Sequence, residues 1–299
     1  MSAEERIALA LGAGGARGLA QIGVIEALTA RGFVIDAVAG SSSGAVVGGV
    51  FAAGHLGQFR ERLEAMSRGE VLRLLRPPAL GAGGLFRADA LVQAMAEVVG
   101  DPAIETLAVD FTAVAVDLVR QREVWIRQGP LWQALRASFA IPGLFTPALV
   151  NGRELVDGGL LAPLPITATR LSDAHRLIAV DMHGWPQRPP GRPAQPGDAG
   201  DDGRDWLARW IERRWRRTRA PTAAEDDDEA AGIGLTEVMA RSLDTMQAQI
   251  ARVQLALDPP ELVIRIPRDA CLFYEFWRAK ELVALGRAEA DKALDAAGY

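Results

Sequence analysis

Along the N-terminal half of the chain, short apolar runs alternate with helical periods, which is how a wound α/β sheet is written. "RIALAL" (residues 6–11) is apolar throughout and predicts a strand buried on both faces. The glycine-rich "GAGGARG" follows, and then Leu19, Ile22, Ile25 and Leu28 recur at helical spacing. "FVIDAVAG" predicts a second strand, and "AVVGGVFAAG", apolar nearly all round, predicts a helix buried mid-fold and ending at Gly54. After a helix near 88–99, "DFTAVAVDLV" (110–119) and "EVWIRQ" (123–128) read as two more strands. In "ALVNGRELVDGG" the Asn151-Gly152 pair supplies both positive-φ positions of a type I′ turn, which predicts a hairpin. "RLIAVDM" (176–182) predicts a further strand.

The pattern breaks from 185 to 203, where proline, glycine and aspartate dominate and too little apolar surface is available to order the segment. A basic stretch at 204–219 carries Trp206, Trp210 and Trp215 at helical spacing among arginines, with the acidic run 225–229 behind it. Such a helix suits the boundary of a lipid surface, giving a peripheral membrane contact; alternatively it packs by its tryptophan face and pairs its arginines with the acidic run. A long helix at about 235–257, a strand at 261–266 and a terminal helix from about Tyr274 complete the chain. The expected organisation is one domain over 1–299, with a flexible or lid-like insertion at 185–232 and a C-terminal helix-strand-helix that completes the fold.

With 299 residues, 49% hydrophobic, the chain is long enough for a substantial core. A net charge of -5 gives no overall attraction to phosphate backbones, so nucleic acid is not an expected partner. The first residues are polar and acidic rather than leader-like, and no apolar run reaches the roughly 20 residues of a membrane span. A cytoplasmic location follows as the expectation. Cys271, the single cysteine, lies beside Leu272 and Phe273 and reads as a buried packing thiol.

Candidate chemistry concentrates in three places. Gly40-Ser41-Ser42-Ser43-Gly44 holds GxSxG in one register, centred on Ser42 between a strand and a helix. This is the setting of a nucleophile elbow, in which the flanking glycines permit the sharp turn that exposes the hydroxyl. A plain Gly/Ser turn has the same letters. A serine needs a base, and in α/β-hydrolases an acid and then a histidine follow a serine placed after the fifth strand. Ser42 comes after the second. Of the histidines, His55 and His175 read as surface or capping residues, which leaves His183 just past a strand end. Asp157, in "LVDGGLLAPLP", offers a carboxylate that could take the serine proton directly, with Gly158 and Gly159 leaving room around it. A turn aspartate bonded to local amides is the bland alternative. The third place is "GAGGARG": a dinucleotide fingerprint fails because Arg17 stands where a glycine is required, and Asp36 has only the spacing of a ribose contact. A glycine-lined loop opening a helix suits donation of backbone N–H bonds to an oxyanion instead.

In chain order, an arginine-containing glycine loop, an early GxSxG and a later DGG resemble the patatin-like phospholipases over residues 7–181. "RASFAIPGLFTP" (136–147) and "LAPLP" (161–165) are similar to segments of that family. The resemblance implies a three-layer α/β/α fold with a mostly parallel central sheet. It also implies hydrolysis of lipid or other acyl esters by a Ser42–Asp157 dyad, with no metal or cofactor. Gly14, Gly15 and Ala16 would line the oxyanion hole, joined by the Ser43 amide, with Arg17, Gly18, Gly40, Gly44, Gly158 and Gly159 completing the motifs. The departure is Ala13, where the family's GGGxRG loop has a glycine; alanine resists a positive φ but keeps its N–H. Two other readings stay open. One is an acyltransferase or thioesterase using His183 as base, the other a non-catalytic lipid-binding regulator.

Overall fold

The structure, a computed structural model, describes residues 5–74, 89–172, 174, 176–187 and 235–299. The chain divides into two compact units, one comprising 1–187 with 247–299 and the other 188–246. Of the second unit, only the first half of one helix is described, so the basic stretch 204–219, the acidic run 225–229 and nearly all of the lid-like insertion lie outside the described residues. His175 does as well.

The first unit is built on eight strands: β1 (Glu5–Leu11), β2 (Phe33–Ser41), β3 (Asp110–Asp117), β4 (Arg122–Ile126), β5 (Ala148–Val150), β6 (Arg153–Asp157), β7 (Arg176–Gly184) and β8 (Leu262–Pro267). Strands β3, β2, β1, β7 and β8 run parallel in that spatial order, while β4, β5 and β6 are antiparallel additions. The sheet is therefore mixed, with a parallel core. Helices α1 (Ala20–Ala30), α2 (Ser43–Ala52), α3 (Leu56–Ala65), α4 (Arg68–Leu74), α5 (Asp89–Val99), α6 (Leu131–Ser138), α7 (Leu235–Leu257) and α8 (Ala279–Ala297) accompany it.

Strand β1 shows how the layers form. Ile7, Leu9 and Leu11 alternate with Ala8 and Ala10, all of them buried, so one face is bulky and the other flat. The flat face, with Ala37 and Ala179, receives Leu164, Ile166 and, from α7, Ala251. On the bulky face α2 lies so close that a Cβ at Gly48 would come within 2.7 Å of Val38. The C-terminal α8 packs on α1 just as tightly, since a Cβ at Gly286 would stand 1.8 Å from the Ala20 carbonyl. Among the described residues no helix is long and apolar enough to cross a membrane.

Two boundaries that differ from expectation do so for a local reason. Strand β3 stops at Asp117 rather than Val119, because the Asp117 carboxylate accepts the Arg120 amide at 3.0 Å and closes a turn. The terminal helix begins at Ala279 rather than near Tyr274. Glu275 bonds the Leu272 amide and the Arg278 guanidinium, and the chain takes a 3-10 turn over Phe276–Arg278 first. Helices α3, α4 and α6 have no counterpart among the elements that the sequence pattern predicts. The Asn151-Gly152 turn has the expected positive φ at both positions, 51° and 72°.

Candidate active site

The way β3 is shared decides which residues meet. Strand β2 pairs with β3 up to Ser41 opposite Val114, and β6 pairs with β3 from Asp157 opposite Ala115. Strand β4 pairs with β3 over Ala113 to Asp117 and so overlaps both. A strand has only two edges, so β4 occupies one while β2 and β6 share the other, end to end. The chain leaves β2 at Ser42 where β6 delivers Asp157. Residues 115 positions apart are thereby in contact: Ser42 Oγ donates to Asp157 Oδ2 at 2.6 Å.

Both groups are almost wholly buried, Ser42 at 4% exposure and Asp157 at 3%. Ser42 has φ 55° and ψ -123°, a region that strains any residue with a side chain. The turn is possible because of what stands opposite it. A Cβ at Gly44 would lie 2.3 Å from the Leu11 carbonyl, and one at Gly158 would lie 2.1 Å from the Val114 carbonyl. Gly40, Gly18 and Gly159 are equally confined, against Ala45 N, Ser43 Oγ and the Gln247 side chain.

Burial pushes the Asp157 carboxyl up from its ordinary 3.8 to about 7, against the lowering effect of hydrogen bonds from Ser42 and Gly159. The Gly159 amide supplies the second of these bonds, to Oδ1 at 2.7 Å. The carboxylate is thus aimed by one backbone donor and left with one oxygen for the serine.

The glycine loop shows where each amide goes. Gly12 N–H donates to Val180 O, Ala13 N–H to Pro163 O and Ala16 N–H to Phe273 O. The Gly14 amide faces Ser43 Oγ at 3.2 Å. Of the three amides expected to line an oxyanion hole, Ala16's is therefore committed to a carbonyl and Gly14's to a hydroxyl. Gly15, at φ 56° and packed closely against Phe273, keeps its N–H free of any partner among the described residues. Ser43 opens α2, and its own amide has no acceptor one turn back. Ala13 does not adopt a positive φ, so alanine in place of glycine brings no backbone strain of that kind to the loop. Arg17 is buried and donates to the Arg268 carbonyl at 2.6 Å, tying the loop to the segment after β8.

Other candidates lie apart from this pair. His183 sits near the end of β7 with Nδ1 3.5 Å from Asp181, and its amide bonds the same carboxylate. Burial acts to raise the Asp181 carboxyl, yet its bonds to His183 and the nearby Arg265 hold it below the ordinary value. Asp36 pairs with Arg6, away from the glycine loop. His55 is the residue before α3. Cys271 is a buried free thiol, pushed up to about 12 by burial.

Sequence reasoning missed Ser138, the last residue of α6. Its hydroxyl accepts the Ser42 amide at 3.0 Å and donates to the Val114 carbonyl at 2.6 Å. Only the surrounding segment, as a stretch resembling a family block, drew attention to it.

Over residues 9–170 the sequence matches the model of a family described as patatin-like phospholipase. A protein of Mycobacterium tuberculosis (strain ATCC 25618 / H37Rv), named an uncharacterized NTE family protein, is 40% identical, with 99% of this chain and 93% of that protein covered. A protein of Cryptococcus neoformans var. neoformans named lysophospholipase NTE1 is 32% identical over 69% of this chain and 12% of its own length. Among solved structures, VipD from Legionella pneumophila has a TM-score of 0.46 and 13% identity, covering 98% of this chain and 67% of that one.

Proposed function

Because the chain belongs to the patatin-like phospholipase family, we propose that it hydrolyses lipid acyl esters with Ser42 as nucleophile and Asp157 as its base. The observation that carries the reading is the buried 2.6 Å hydrogen bond from Ser42 Oγ to Asp157 Oδ2. In the first half-reaction Ser42 Oγ attacks the ester carbonyl carbon while its proton passes to Asp157. The free amides of Gly15 and Ser43 receive the developing oxyanion. Collapse expels the alcohol, which leaves with the proton held on Asp157. Water then gives a proton to Asp157 and adds to the acyl carbon. Release of the fatty acid returns that proton to Ser42.

His183 is engaged with Asp181, and the acceptor of the Ser42 proton is a carboxylate, so the arrangement favours the dyad over a histidine-based acyltransferase. The lysophospholipase name carried by the Cryptococcus relative supports lysophospholipids as the first natural substrates to try.

Wild type and Ser42→Ala are compared on p-nitrophenyl butyrate and on a panel of lysophospholipids and diacyl phospholipids. A fluorophosphonate probe reports the nucleophile independently. The substitution should lower turnover by about 10³-fold or more and abolish labelling. Unchanged turnover in folded Ser42→Ala, or a folded wild type that never labels, would overturn the reading.

A further inference from the structure

We propose that Ser138 is a positioning residue for the nucleophile, its hydroxyl holding the Ser42 peptide in the strained turn from which Ser42 attacks. The inference rests on the reading of Ser42 as nucleophile.

The Ser138 hydroxyl has one proton, and the Val114 carbonyl 2.6 Å away can only accept it. A lone pair of Oγ is therefore what faces the Ser42 N–H at 3.0 Å. The polarity of the bridge is fixed, and the residue is fully buried, so water does not compete for either bond. Val114 is the β3 residue opposite Ser41, the last residue of β2. The bridge thus fastens the peptide of the elbow to the neighbouring strand at the point where ladder pairing between β2 and β3 stops.

The same segment reaches the other half of the pair. Two residues on, the Ala140 carbonyl accepts the Asp157 amide at 3.0 Å. A short stretch at the end of α6 therefore holds the backbones of both Ser42 and Asp157 in one frame. That frame is itself anchored: Leu131 and Leu135 of α6 are completely buried, and Arg136 bonds the Thr146 carbonyl. By engaging the Ser42 amide, Ser138 also leaves Ser43 as the elbow's open donor.

Ser138→Ala leaves the Ser42 amide and the Val114 carbonyl without their bridge in a dry site. Misplacing a nucleophile by about 1 Å costs up to about 10²-fold, so kcat on p-nitrophenyl butyrate should fall about tenfold to hundredfold. KM should stay within about twofold, as expected when substrate binding is left intact. In a site that stays dry the pH midpoint of kcat/KM should hold or rise, because the burial that raises the Asp157 carboxyl is kept while the Ser42 bond that lowers it is weakened. A merely structural role would lower the folded fraction and leave kcat per folded molecule alone. Ser138→Cys keeps nearly the same volume with a much weaker donor and acceptor, and it provides the measurement if the alanine variant does not fold. Wild-type kcat in either folded variant overturns the proposal. A folded wild type that neither labels with fluorophosphonate nor hydrolyses ester defeats the Ser42 reading instead, and this inference with it.

Discussion

Replacing Asp157 by asparagine should change how stability depends on pH, by an amount set by burial of the carboxyl. An unfolded aspartate loses its proton near 3.8, whereas in the folded protein burial holds the Asp157 proton up to about 7. Between those values the native state binds one more proton than the unfolded state, so raising the pH favours unfolding. The contribution is fully present below pH 3.8 and is lost as pH rises through about 7. At about 1.4 kcal/mol per pH unit, the loss accumulates to about 4 kcal/mol across that window. The asparagine side chain would carry no charge at any pH while keeping the size, an acceptor for the Gly159 amide and a donor for Ser42 Oγ. Urea denaturation of both proteins at pH steps from about 4 to 8 gives the difference directly, and groups common to both cancel. Asparagine should be close to neutral at the acid end and stabilising by about 4 kcal/mol at the alkaline end. A difference that stays flat over the range would refute the buried, proton-retaining carboxyl, and a difference of opposite slope would mean that the folded carboxylate is stabilised instead.

Two further outcomes follow from the same geometry. The base must be ionised to accept the Ser42 proton, so kcat/KM for a soluble ester should rise with pH through a midpoint of about 7, and a midpoint near the ordinary 3.8 would contradict Asp157 as a desolvated base. Gly15 has φ 56°, and a Cβ there would meet the Phe273 carbonyl at 2.6 Å. Gly15→Ala should therefore displace its free amide and lower kcat by about 10²- to 10³-fold, the usual cost of one oxyanion donor. Steady-state kinetics on folded protein decide this, and wild-type kcat would remove Gly15 from the oxyanion site.

What the sequence revealed, and what it hid, divides by the range of the interactions involved. Strands such as β1 and β2 were legible because residues buried on both faces have to be apolar whatever their neighbours are. GSSSG and DGG were legible because sharp turns under close backbone approach leave glycine as the residue that fits, as the positions of Gly44 and Gly158 show. Helix α3 was not, since only Phe59 and Leu63 of its ten residues are buried and so short an apolar stripe is lost among polar neighbours. Ser138 has no local signature either. A serine ending a helix is ordinary until β3 brings the Val114 carbonyl beside it. The donors of the glycine loop were only partly legible for the same reason: the carbonyl that engages Ala16 belongs to Phe273, at the far end of the chain.

In the proposed reaction the absence of a histidine follows from where β6 lies. A solvated carboxylate is a poor base towards a serine hydroxyl, because its proton affinity is too low near neutral pH. Setting β6 on the same edge of β3 as β2 places Asp157 beneath the elbow and away from water, and desolvation then raises its affinity to the range a histidine would supply. The same placement costs stability twice, through the buried charge and through the left-handed turn at Ser42. Both costs fall within a frame of hydrogen bonds, from the Ser42 amide to Ser138 Oγ, from the Asp157 amide to the Ala140 carbonyl and from the Gly159 amide to the Asp157 carboxylate. If that frame loosens, Ser42 relaxes and water reaches Asp157, which lowers its proton affinity. Reactivity and rigidity are therefore coupled here, and a substitution in the frame is expected to weaken the base and misplace the nucleophile together when it admits water, but only misplace the nucleophile when the site stays dry.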